Sequence, residues 1–169
     1  MRKMVLSILV ENTAGVLNRV AGLFSRRGYN IDSLTVGETE DPKFSRMTIV
    51  VHGDDDVLEQ LEKQISKLID VKELIELKPE NSVCRELILV KVAVPQEKRP
   101  EIVAITDVFR AKIVDVSPES MMIELTGNQN KLDAFIDLLQ GFEVRELVRT
   151  GITGLTRGRA DMIGDSIDF

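Results

Sequence analysis

Asn12 and Gly15 are the residues with the clearest chemical potential, in a short polar segment between an apolar strand and an amphipathic helix. The strand is predicted over 3–10 and the helix over 16–27. Backbone amides at the beginning of a helix, beside a carboxamide, suit a small anionic or zwitterionic ligand. The structural alternative is that Asn12 or Thr13 only caps the helix and Gly15 only relieves crowding. On spacing alone, both interpretations stay open.

Asn30 favours the ligand interpretation. It follows Gly28, where the helix is predicted to end because glycine adopts the left-handed conformation at low cost. It also precedes a strand predicted over 31–39. In a symmetric dimer paired through edge strands, Asn30 of one copy would approach the Asn12 turn of the other. The pattern indicates a small-ligand sensor rather than an active site.

A catalytic interpretation has little support in the sequence. His52 is the only histidine and Cys84 is the only cysteine, so no Ser–His–Asp or Cys–His set is evident. We expect His52 to be a strand-end residue and Cys84 to be a small residue at the start of a strand. No catalytic residue is therefore predicted.

Two further segments resemble ligand sites only superficially. The acidic run 54–56 lacks the alternating oxygen spacing of a calcium loop, and it suits the positive end of a helix. The glycine-rich segment 151–158 lacks the Lys–Ser/Thr pair of a phosphate-binding loop. We expect the first to open a helix and the second to be a flexible or partner-docking segment. No metal site and no cofactor are predicted in this chain.

Composition sets wider bounds on function. The chain has 169 residues, a formal net charge of −6, no tryptophan and no cluster of basic residues, which disfavours nucleic acid as a partner. The apolar run near the N-terminus stops at Glu11, and no run approaches the length of a membrane-spanning helix. A single cysteine fits a reducing compartment. We expect a cytoplasmic protein with no membrane partner, the alternative being an organelle protein without its transit peptide.

The element order predicts two similar α+β units. Each reads strand, helix, strand, strand, helix, strand, which is the ferredoxin-like βαββαβ pattern. In the first unit, one apolar helix stripe is predicted from Val16, Leu17, Val20, Leu23 and Phe24. The expected boundaries are a first domain over 1–78, a linker over 79–83, a second domain over 84–158 and a tail over 159–169.

Several motifs resemble one family. Asn-Thr-Ala-Gly-Val-Leu-Asn-Arg-Val at 12–20, Phe-Ser-Arg-Arg-Gly-Tyr-Asn-Ile at 24–31 and Ser-Arg-Met-Thr-Ile at 45–49 resemble the ACT domain of the small, regulatory subunit of acetohydroxyacid (acetolactate) synthase. The resemblance continues through Arg-Glu-Leu-Ile-Leu-Val-Lys-Val at 85–92 and Arg-Thr-Gly-Ile-Thr-Gly-Leu-Thr-Arg-Gly at 149–158. It covers nearly the whole chain, and the tail after Arg159 departs from it.

The resemblance implies a homodimeric, non-catalytic regulatory subunit in branched-chain amino acid biosynthesis. Its partner would be a large catalytic subunit that uses thiamine diphosphate, FAD and magnesium. This chain would activate that subunit and confer feedback inhibition by valine bound between two ACT domains. The implied effector-site residues are Asn12, Gly15, Val16, Leu17, Asn30 and Ile31.

Two other functions are weighed against this one. The first is an amino-acid-binding ACT regulator of a different enzyme or of transcription, although DNA binding requires a basic surface that the sequence lacks. The second is a small stand-alone enzyme, which the absence of a catalytic set disfavours. Co-purification with a large flavoprotein subunit would separate the regulatory-subunit hypothesis from both.

Overall fold

The computed structural model describes residues 1–158, and the predicted tail at 159–169 lies outside the described residues. The chain divides into two compact units. The first contains residues 1–84 together with the segment that begins at Ile152, and the second contains 85–151. Each has the order βαββαβ, which confirms the predicted α+β fold class.

The first unit has a four-stranded antiparallel sheet in the order β2-β3-β1-β4, with β2 at one edge. Both helices pack on one face of this sheet, over the alternate apolar residues of the two central strands. The elements are β1 (Arg2–Glu11), α1 (Val16–Arg26), β2 (Ser33–Glu38), β3 (Phe44–Gly53), α2 (Asp55–Ser66) and β4 (Val71–Glu76).

The predicted apolar stripe of α1 is correct except at one residue. Val16, Val20, Leu23 and Phe24 are buried, whereas the side chain of Leu17 is 46% exposed. The reason is angular, because Leu17 is one residue, or about 100°, from Val16 around the helix. Leu17 therefore faces away from the core of its own unit.

The second unit repeats the pattern with the sheet order β6-β7-β5-β8. Its core lies between the sheet and two helices, which carry the buried residues Ile102, Leu132 and Phe135. In the described part of the chain, no helix combines the length and apolar character needed to cross a membrane. The elements are β5 (Ser82–Ala93), α3 (Arg99–Phe109), β6 (Lys112–Val116), β7 (Ser120–Gly127), α4 (Gln129–Leu138) and β8 (Glu143–Arg149).

The segment after Gly151 differs from the flexible stretch expected from its glycines. It forms β9 (Thr153–Thr156), which pairs with β5. Ile152 is buried with Val5, Val50 and Leu77, on the face of the first sheet opposite its helices. The unit boundaries also differ from the expected ones, because residues 82–84 and 152–158 belong with the first unit.

Candidate functional site

The Gly15 turn presents backbone amides at the beginning of α1. Gly15 has φ +86°, a left-handed conformation that side-chain-bearing residues rarely adopt. The amide of Arg19 bonds to the carbonyl of Gly15 at 3.0 Å, so the amides of Leu17 and Asn18 precede that bond in the first helical turn. These amides and the helix dipole favour a negatively charged ligand group at this turn.

Asn12 is fixed against the hairpin that joins β2 and β3. Its amide nitrogen Nδ2 donates to the carbonyl oxygen of Pro42 at 3.0 Å and lies 3.4 Å from Oε2 of Glu38. Its backbone amide donates to the carbonyl oxygen of Lys43 at 2.8 Å. Because Nδ2 of Asn12 already donates to the hairpin, Oδ1 is the side-chain atom that Asn12 offers to a ligand. This oxygen is a hydrogen-bond acceptor, which suits an ammonium group.

An arginine beside the turn was not predicted from the sequence. Arg19 donates from Nε and Nη2 to the two carboxylate oxygens of Asp70, at 2.6 Å and 3.1 Å. A Cβ atom added to Gly15 would lie 2.9 Å from Nη1 of Arg19, so this third nitrogen lies directly over the turn. Asp70 balances the charge of Arg19 and fixes its orientation, so the guanidinium offers a directed N–H donor beside the helix amides.

The same pair fixes the charge of Asp70. The Asp70 residue is only 6% exposed, and the hydrogen bonds from Arg19 lower the pKa of its carboxyl below the ordinary value of 3.8, against the opposing effect of burial. Arg19 and Asp70 are 51 residues apart, so the sequence does not indicate their pairing. The sequence does place Arg19 one helical turn after Gly15, and this spacing was the available signal that Arg19 lies near the turn.

Asn30 is held by a second small polar network. Its Nδ2 donates to Oδ1 of Asp32 at 3.0 Å, and Oδ2 of Asp32 contacts Nδ1 of His52. His52 ends the apolar part of β3, as expected from the sequence, and is partly exposed. Asp32 therefore bridges the histidine and the carboxamide, and Asn30 presents Oδ1.

The other implied site residues divide between core and surface. Val16 is buried and Ile31 packs partly against the same core, so their side chains belong mainly to their own unit. Leu17 is exposed beside the Gly15 turn. Asn30 and Ile31 lie beyond the opposite end of α1, whose 11 residues span about 16 Å. A single chain therefore does not bring the two halves of the implied site together.

The remaining sequence candidates have structural roles. Asp55 and Asp56 lie in the first turn of α2, and Asp55 accepts a hydrogen bond from Arg2 at 2.6 Å. Cys84 is partly buried against the cluster that contains Ile152. In the glycine-rich segment, Gly154 packs closely on Val83 and Cys84, whereas Gly151 and Gly158 have positive φ, so packing and backbone conformation explain these glycines.

Both units match known families. Residues 6–73 match the family model described as "AHAS small subunit-like ACT domain", and residues 85–158 match "Small subunit of acetolactate synthase". A solved structure, the acetolactate synthase small subunit from Thermotoga maritima, is similar with a TM-score of 0.87 and 47% identity. That similarity covers 94% of this chain and 99% of the other.

Relatives at the sequence level agree with this result. A probable acetolactate synthase small subunit from Methanothermobacter thermautotrophicus is 53% identical, over 94% of this chain and 95% of its own. The acetolactate synthase small subunit of Haemophilus influenzae is 46% identical, over 94% of this chain and 98% of its own. The chain therefore belongs to the acetolactate synthase small-subunit family, as its motifs indicated.

Proposed function

We propose that this chain is the regulatory subunit of an acetohydroxyacid synthase in the cytoplasm, and that it binds valine between the ACT domains of a homodimer. It activates a large catalytic subunit, which carries the thiamine diphosphate, FAD and magnesium, and it makes that subunit sensitive to valine. Family membership supports the partnership. The polar groups around Gly15 support the effector site.

The observation that carries the effector site is the position of Arg19. Its guanidinium is oriented by the buried carboxylate of Asp70 and lies over the left-handed turn at Gly15. A ligand carboxylate at this turn would accept charge-assisted hydrogen bonds from Nη1 of Arg19 and from the first backbone amides of α1. Oδ1 of Asn12 is the complementary acceptor for the ligand ammonium.

The sheet order supports a site shared between two copies. β2 is an edge strand, and its end at Glu38 lies beside the side chain of Asn12. Antiparallel pairing of β2 with its copy would bring the start of the second β2 to this end. Asn30 lies three residues before Ser33, where β2 begins. Such a dimer therefore brings Asn30 of one chain towards the Asn12 turn of the other.

The proposal is tested by replacing Arg19 with glutamine and measuring valine binding by calorimetry on the full chain. We expect Arg19→Gln to weaken binding by about tenfold to a hundredfold, because a charged donor to the ligand carboxylate is lost. Arg26→Gln is the matched control, because Arg26 lies two turns later on the same helix and is exposed.

The regulatory part of the proposal needs a second measurement. A pyruvate-condensation assay of the cognate large subunit, with and without this chain, should show activation and valine inhibition. Unchanged valine binding by a folded Arg19→Gln protein would reject this effector site. Activation of the large subunit without any effect of valine would reject valine as the effector and leave the partnership intact.

A further inference from the structure

The second unit has a counterpart of the Gly15 corner. In the first unit, the end of β1 is tied to the β2–β3 turn by the bond from Asn12 N to Lys43 O, at 2.8 Å. In the second, the end of β5 is tied to the β6–β7 turn by the bond from Val94 N to Glu119 O, at 2.9 Å. The connection from the second helix to the last strand also reaches this corner, through Asp70 in the first unit and Phe142 in the second. The same three connections therefore meet at this corner of both units: first strand to first helix, second to third strand, and second helix to last strand.

At this corner the second unit contains an open cavity of about 410 Å³. This volume lies in the range typical of small-molecule sites. Pro95 and the ring of Phe142 form part of an apolar wall. Phe142 occupies the connection between α4 and β8, which corresponds to the α2–β4 connection that carries Asp70 in the first unit.

The charged groups around the cavity are balanced. Lys98 and Arg145 are basic, and Glu119 and Glu143 are acidic. Nζ of Lys98 lies 5.8 Å from the centre of the Phe142 ring, a cation–π distance that keeps the ammonium at the wall of the cavity. Two cations and two anions around an apolar wall complement a ligand that carries both a carboxylate and an ammonium group.

We propose that this cavity is a second binding site for a free amino acid with an apolar side chain. The carboxylate faces Lys98 and Arg145, the ammonium faces Glu119 and Glu143, and the side chain packs on Pro95 and Phe142. The site lies within the second unit. It does not depend on Arg19 or on the ACT dimer, and it stands even if the first site does not bind valine.

The test is an NMR titration of the ¹⁵N-labelled full chain with L-leucine, with amide resonances assigned in both units. We expect saturable shifts at Lys98, Glu119 and Arg145. The double variant Lys98→Gln/Arg145→Gln should weaken this binding by about tenfold or more, because both cations are lost. Lys112→Gln is the control, because Lys112 is an exposed cation of the same unit that does not line the cavity.

Two leucine analogues test the need for both charges. 4-Methylpentanoate lacks the ammonium and 3-methylbutylamine lacks the carboxylate, and each should bind at least about tenfold more weakly than leucine. The proposal is overturned if leucine shifts no resonance of this corner, if the double variant binds as tightly as the parent, or if either analogue equals leucine. Resonances of Gly15 and Arg19 in the same spectra report the first site separately.

Discussion

Arg19 and Asp70 illustrate how single residues gain a role that their local sequence does not reveal. Asp70 follows α2 and Arg19 lies within α1, so their pairing depends on the packing of both elements against β1. The turn that holds Asn12 and Gly15 before α1 could be predicted from their residue types, and their role in an effector site stays a prediction. The Arg19–Asp70 ion pair beside this turn could not be predicted, because the two residues are distant in sequence.

The Arg19–Asp70 pair predicts a pH dependence of stability. The pKa of Asp70 is lower in the folded than in the unfolded chain, so its contribution is fully present above about pH 4 and is lost as the pH falls through the folded-state pKa. Asp70→Asn should therefore destabilise the protein at pH 7, and the difference from the parent should shrink below pH 4. Urea unfolding at several pH values measures this.

Glu40→Gln is a control for the loss of one negative charge in the same unit, because Glu40 is exposed in a loop. It should change the urea midpoint little at either pH. A constant difference between Asp70→Asn and the parent from pH 7 to pH 2.5 would contradict the assigned ionisation of Asp70.

Asn12 and Asn30 predict complementation between chains. Asn12→Ala and Asn30→Ala should each weaken valine binding by about 1–3 kcal/mol, the usual cost of removing a partner from a charged group. After the two variants are mixed and allowed to exchange subunits, about a quarter of the sites would regain both asparagines if each site takes one from each chain. Calorimetry on the mixture should then detect a tight fraction. A mixture that binds valine no better than either single variant alone would contradict the shared site.

At the scale of elements, periodicity predicted the helices and most strands of both units, because the helices and the central strands carry apolar residues at regular spacing. The same reasoning failed for β9. This strand has four residues, and its glycine and two threonines resemble a loop more than a strand. What orders it is non-local: the backbone amide of Ile152 donates to Oγ of Ser33 at 3.0 Å, and the carbonyl oxygen of Ile152 accepts from Oγ1 of Thr35 at 3.3 Å.

This segment also changes what is expected of a fragment that ends at Lys78. The boundary expected from the sequence, a first domain over 1–78, predicts that such a fragment would fold and bind valine alone. It lacks Ile152, however, which is buried against Val5 and Val50. The fragment would therefore expose apolar residues on the sheet face opposite the helices, and the intact chain is the better material for binding experiments.

Gly154 provides a direct test of how tightly β9 is packed. A Cβ atom there would lie 2.7 Å from Sγ of Cys84 and 2.8 Å from the carbonyl oxygen of Val83. Gly154→Ala should therefore destabilise the first unit by about 1–3 kcal/mol, because backbone must shift to admit one methyl group. The measurement is the urea midpoint of the full chain. Gly141→Ala, at a glycine of the second unit with open space around it, should have little effect, and equal effects of the two variants would contradict the packing of β9.

At the scale of the whole molecule, the proposed function separates two tasks. Stimulation requires contact with the large subunit, whereas inhibition requires the effector site. Gly15→Asp should therefore leave activation intact and abolish the response to valine. The new carboxylate would lie beside the Arg19 guanidinium, which the valine carboxylate is proposed to use, and the two carboxylates would repel each other.

Gly15→Asn distinguishes this charge effect from the effect of size. Asparagine has nearly the volume of aspartate and tolerates the left-handed conformation at Gly15 better than most residues. It should weaken the valine response without abolishing it. The measurement is large-subunit turnover across a valine titration with each folded variant. Failure of Gly15→Asp to activate the large subunit would mean that the effector turn also forms part of the docking surface, so that activation and inhibition share one surface of the first unit.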